Sequence, residues 1–109
     1  MLQVRIVRDG NGCVREVDIQ GHAGVAVHGQ DPACAAASLL AKAYALTIAD
    51  DKRHRVQADI PNPGSFFLAI TQVGDDEHAL VAGTMLMHGL ESIRREFPQN
   101  ITIEYIKQS

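Results

Sequence analysis

The chain reads as an α+β two-layer sandwich, a mostly antiparallel five-stranded sheet carrying two helices in the order ββαββαβ. Three observations predict it. Five short segments alternate apolar and polar residues with the period of a strand. Two longer segments repeat apolar residues with the period of a helix. Clusters of Gly, Pro, Asn and Asp between them mark the turns. A length of 109 residues fits a single domain spanning 1–109 with one ordinary core.

The first strand covers residues 2–8, with Leu2, Val4 and Ile6 on one face and Gln3 and Arg5 on the other. Asp9-Gly10-Asn11-Gly12 is a hairpin turn, rich in residues that tolerate positive φ. The second strand, residues 13–19, puts Cys13, Val17 and Ile19 in one phase, antiparallel to the first. Residues 20–32 form a glycine-rich loop. Asp31 then serves as an N-cap, with Pro32 at the first helical position of a helix running to about Ala49. Lys42 is the only charged residue between Cys34 and Ala49. A helix so apolar needs cover on more than one side, so a homodimer is expected.

His54 to Ile60 reads as a strand with Val56, Ala58 and Ile60 in phase, and Pro61-Asn62-Pro63-Gly64 as a turn. Phe66 to Val73 is a strand apolar on both faces. Asp75-Asp76-Glu77 brings negative charge to the start of the second helix, where the dipole favours it. Ala82, Leu86, Leu90, Ile93 and Phe97 follow helical spacing and should face the sheet. Pro98 stops that helix, and Ile101, Ile103 and Tyr105 alternate through the last strand.

Composition narrows the function. The chain is 46% hydrophobic and 21% charged, with a formal net charge of −3. No Lys/Arg cluster is present, which argues against direct nucleic-acid binding. No run of about 18 apolar residues suggests a membrane span, and the start of the chain does not read as a secretory signal. Two cysteines are too few for a disulfide framework, so a reducing cytoplasm is expected.

The chemistry concentrates in Gly21-His22-Ala23-Gly24 and Gly29-Gln30-Asp31-Pro32-Ala33-Cys34. Cys34 falls in the first helical turn, where unpaired N–H groups and the dipole favour a thiolate, the nucleophilic form. His22 ends a strand beside the loop and could take the thiol proton and return it to a leaving amine. On these residues alone a small buried cysteine is the commoner outcome. Asp31 could orient His22 or simply cap the helix, and Ser38, one turn after Cys34, could join the site or let the helix pack closely. A zinc site from His22, His28 and Cys34 lacks a fourth ligand and the usual paired spacing. His54, His78 and His88 take surface or packing roles, Met85 and Met87 core or interface packing roles, and Arg94-Arg95 a favourable dipole contact. Cys13 is a buried strand residue.

Gly21-His22-Ala23, the Asp31 to Ala36 stretch and Ser38 resemble the ribosomal-processing cysteine proteases, the Prp family. The resemblance extends over length, element order and Gly29. It implies a bacterial, dimeric cysteine endopeptidase that needs no cofactor and no metal. Such an enzyme removes a short N-terminal extension from the precursor of large-subunit ribosomal protein number twenty-seven. Cys34 and His22 would be the catalytic pair, under a mobile loop whose glycines are Gly21, Gly24 and Gly29. The sequence departs from the family pattern at Pro32 and Ala33, where bulky aliphatic residues are usual, and at Val25, often aromatic. These changes bear on the pocket and loop packing. Two rival readings are a non-catalytic module that binds a ribosomal protein or assembly partner, and a thiol redox or acyl-transfer enzyme. The last needs a resolving cysteine, which a buried Cys13 would not supply.

Overall fold

The computed structural model describes residues 1–21, 31–60 and 64–108. The elements are β1 (Leu2–Arg8), β2 (Val14–Gln20), α1 (Pro32–Asp50), β3 (Arg55–Asp59), β4 (Ser65–Gln72), α2 (Asp76–Glu96) and β5 (Ile101–Lys107). The strands form one sheet in the order β3-β4-β2-β1-β5. Three neighbouring pairs are antiparallel, and β1 with β5 is parallel. The order ββαββαβ and the α+β class are as the sequence implied.

Asp9 shapes the first hairpin. Its Oδ1 accepts from the Asn11 N–H at 2.9 Å and the Cys13 N–H at 3.1 Å, while Gly12 sits at φ +83. In this way Asp9 satisfies donors that the tight turn leaves without a strand partner.

The second strand differs from simple alternation. Val7 pairs with Glu16 but Arg8 pairs with Val14, so Arg15 is the extra residue of a β-bulge. The bulge shifts the phase, and Val14 joins Val17 and Ile19 in the core. Arg15 has its own use. Pairing of β2 with β4 stops at Glu16 and Ala69. Beyond that point the Arg15 guanidinium donates to the Ile70 carbonyl at 2.8 Å and the Thr71 carbonyl at 3.1 Å.

The core lies between the sheet and the two helices. Leu2, Val4 and Ile6 of β1, Leu68 and Ile70 of β4, and Ile101 of β5 meet Ala79, Ala82, Leu86, Leu90 and Ile93 of α2. From α1 come Ala33, Ala37, Ala41, Tyr44 and Ile48, one stripe at helical spacing. The small alanines let this helix approach its neighbours closely. By length and composition α1 would also suffice to cross a membrane, although Lys42 interrupts its apolar run; in the fold its alanine stripe is buried against the core. Two glycines set the contacts of α2. A Cβ on Gly83 would lie 2.7 Å from Val14 Cγ2, and one on Gly89 would lie 2.5 Å from Leu40 Cδ2.

Leu39 and Leu46 of α1, with Val81 and Met85 of α2, remain exposed. Edge strand β3 is exposed throughout, so Val56 and Ala58 keep their common phase without entering the core. Phe97 caps α2 and is half-buried, and Tyr105 is exposed rather than core.

Candidate active site

At the end of β2, Gly21 adopts φ +90, and a Cβ there would stand 2.8 Å from the Met1 carbonyl oxygen. Glycine is needed twice, for the backbone angle and for the close approach. This residue turns the chain out of β2 and toward the stretch that carries His22. His22, Gly24, Val25, His28 and Gly29 lie outside the described residues, so the Cys34–His22 pair and the loop are not described by the structure.

The other half of the motif is well placed. Asp31 caps α1: its Oδ1 accepts from the Cys34 N–H at 3.0 Å, and its backbone carbonyl accepts from the Ala35 N–H at 3.0 Å. Pro32 opens the helix, where its missing N–H costs nothing. Cys34 is therefore the third helical residue, half-buried, within the turn whose N–H groups have no helical acceptor. Ala33 beside it is fully buried and anchors the turn in the core. Ser38 is exposed one turn along α1.

Asp31 is only 3% exposed. Its second oxygen, Oδ2, is buried and has no hydrogen-bond partner among the described residues. The cap uses Oδ1 and leaves Oδ2 free of any partner among the described residues.

Cys13 is a different thiol. It is 1% exposed, its S–H lies 3.5 Å from the Asp76 carbonyl, and burial, with Asp9 and Asp76 nearby, pushes its pKa up. A buried thiol held protonated is a poor nucleophile and a poor resolving cysteine. Tyr44 is buried close by. Burial, with the nearby Cys13, raises its phenol pKa, and its hydroxyl has no partner among the described residues.

Sequence spacing did not foresee a second polar cluster, at the opposite end of α1. There Asp51, His54 and His78 bring ligand-type atoms within 4.8 Å of one another. His78 stands 24 residues from His54; only the fold brings them together, so no local motif announces the group. His54 is buried, the packing alternative of the two roles expected for it.

The sequence profile of the family described as "Cysteine protease Prp" matches residues 1–102. The ribosomal processing cysteine protease Prp of Staphylococcus aureus is 32% identical over 107 residues, covering 96% of this chain and 99% of that protein. Its crystal structure with a covalently linked product peptide superimposes with a TM-score of 0.83 at 30% identity, over 96% of this chain and 99% of that one. The structure with a substrate peptide gives a TM-score of 0.78 at 28% identity, with the same coverage. SMU.848 of Streptococcus mutans shares the fold, with a TM-score of 0.80 at 21% identity over 99% of this chain and 96% of that one. With a half-buried cysteine in the first turn of a capped helix, and this agreement over nearly its whole length, the chain belongs to the Prp family of cysteine proteases.

Proposed function

We propose that this protease removes the short N-terminal extension from a ribosomal protein precursor, that of large-subunit protein number twenty-seven, with Cys34 as nucleophile and His22 as general base and acid. The observation that carries the reading is the placement of Cys34. Its own N–H is tied to Asp31 while its side chain stays accessible at the start of α1. The Staphylococcus aureus relative supports it, being a ribosomal processing protease crystallised with substrate and product peptides, the latter covalently linked.

In the mechanism, His22 takes the Cys34 proton and the thiolate attacks the scissile carbonyl carbon. The positive end of the α1 dipole favours the oxyanion that develops. The C–N bond breaks, the leaving amine receives the proton from His22, and a thioester remains. Water, deprotonated by His22, attacks the thioester, and the thiol leaves with the proton restored. Asp31 Oδ2 is the group available to steady the imidazole.

The enzyme would work in the cytoplasm as a homodimer. Leu39 and Leu46 on α1, with Val81 and Met85 on α2, are exposed apolar side chains that a second copy would cover. Leu46→Glu is then expected to shift the protein toward monomer in sedimentation equilibrium.

The decisive experiment is cleavage of a precursor peptide by the parent protein, Cys34→Ala and His22→Ala. Loss of cleavage in both variants, with folding intact, is expected. Unchanged cleavage in Cys34→Ala would sink the assignment. A precursor bound by the parent but never cut would restore the binding-module reading for the ribosomal substrate.

A further inference from the structure

The geometry points to a divalent-metal site, of the kind zinc occupies, formed by His54, His78 and Asp51 where the end of α1, the start of β3 and the start of α2 meet. Each residue comes from a different part of the fold. Asp51 is the C-cap of α1, His54 precedes β3, and His78 stands in the first turn of α2. The site lies at the far end of the helix that carries Cys34 in its first turn, roughly 25 Å from that residue along the axis. It is therefore separate from the catalytic cysteine.

The two imidazoles approach edge to edge. His54 Nε2 and His78 Nδ1 are 3.0 Å apart, and the ring centroids are 5.1 Å apart. Two nitrogens bound to one tetrahedral zinc at about 2.0–2.1 Å stand about 3.3 Å from each other. The nitrogens must part by a few tenths of an ångström, and the rings must tilt so that both lone pairs converge on the ion. His54 is buried and so is held by its surroundings, while Asp51 and His78 are half-buried at the rim. Two imidazoles and a carboxylate form a donor set suited to zinc and its first-row neighbours, with water completing the shell.

The hydrogen bonds define what the ion must displace. The Gly74 N–H donates to His54 Nδ1 at 3.0 Å, so the His54 ring proton resides on Nε2 and points at His78 Nδ1. When the ion takes Nε2, that proton moves to Nδ1, and the Gly74 N–H exchanges its acceptor for water. No proton is gained or lost in this exchange. Asp51 is engaged as well: Arg53 donates to its Oδ1 from Nε at 3.0 Å and to its Oδ2 from Nη2 at 2.8 Å. The Arg53 side chain is 65% exposed and also reaches Asp75 Oδ2 at 2.7 Å, so it can leave Asp51 and keep a carboxylate partner. Bound metal would clamp the three elements together. Arg53 acts as the competitor that weakens binding.

The test uses full-length protein in a Cys34→Ala background, which removes the accessible thiol. Zinc affinity is measured by competition with a chromogenic chelator, and cobalt binding by visible absorption, with far-UV circular dichroism to verify folding. One equivalent of zinc should bind with micromolar affinity. His78→Gln and, independently, Asp51→Asn should weaken it at least about tenfold. Arg53→Gln should tighten it by releasing Asp51. Absence of stoichiometric binding, or equal binding by the folded parent, His78→Gln and Asp51→Asn, would overturn the assignment.

Discussion

Replacing Asp31 separates the cap from catalysis. Oδ1 holds the Cys34 N–H at 3.0 Å, and Oδ2 is buried without a partner among the described residues. Asp31→Ala removes both oxygens. Loss of the cap alone costs about 1 kcal/mol, which in a domain of this size lowers Tm by about 4–8 °C. Asp31→Asn is the sharper probe. Its amide oxygen can keep the cap, so stability should change by no more than a few tenths of a kcal/mol. Its NH2 group then stands where Oδ2 was, presenting a donor to whatever had donated to that oxygen. If Oδ2 orients His22, kcat for precursor cleavage falls by about 10²–10⁴-fold, the range that general acid–base catalysis supplies. The pH profile of cleavage also changes, since the base has lost its partner. Thermal melts and cleavage kinetics on the two variants decide the matter. Full kcat with an unchanged pH profile in Asp31→Asn would refute the orienting role. An unchanged Tm in Asp31→Ala would refute the cap.

Other consequences follow from packing and from one hydrogen-bonded pair. Gly83→Ala drives a methyl against Val14, a buried β-branched strand residue with Cγ2 at 2.7 Å and Cβ at 3.0 Å. Overpacking of about 1–3 kcal/mol outweighs the roughly 1 kcal/mol of helix propensity gained, so urea unfolding should show a net loss near 1 kcal/mol. Gly89→Ala meets Leu40 instead, at a side-chain end that can rotate, and should be neutral or slightly stabilising; equal stability of the two variants would contradict this packing account. Tyr105 donates to Glu91 at 2.9 Å, and Arg94 donates to the other Glu91 oxygen at 2.6 Å. Burial and the bond to Glu91 push the Tyr105 phenol from 10.0 up to about 12. A raised pKa gives stability that is present below the unfolded value and lost as pH rises through the folded one. The parent should therefore lose stability between about pH 10 and 12 more steeply than Tyr105→Phe, as read by denaturation at stepped pH. Parallel curves would show that this bond does not contribute.

What the sequence determined by itself is the part governed by near neighbours along the chain. Asp31-Pro32 announces the start of α1, because a cap acts within three residues. The alternation of Leu2, Val4 and Ile6, and the helical spacing of Ala82, Leu86, Leu90 and Ile93, announce which faces are buried. The motif around Cys34 is legible for the same reason: the cap of the helix that presents the thiol lies three residues before it. Tertiary structure decided what depends on distant partners. The phase of Val14 follows from a bulge at Arg15, whose guanidinium finds carbonyls 55 and 56 residues away on β4. The parallel seating of β5 beside β1, and the exposure of β3 at the sheet edge, are choices among pairings that alternation alone does not rank. Likewise His54 and His78 are unremarkable apart, one before a strand and one after a helix cap. They become a pair only because β3 and β4 run antiparallel, which brings the start of β3 back to the end of β4, where α2 begins.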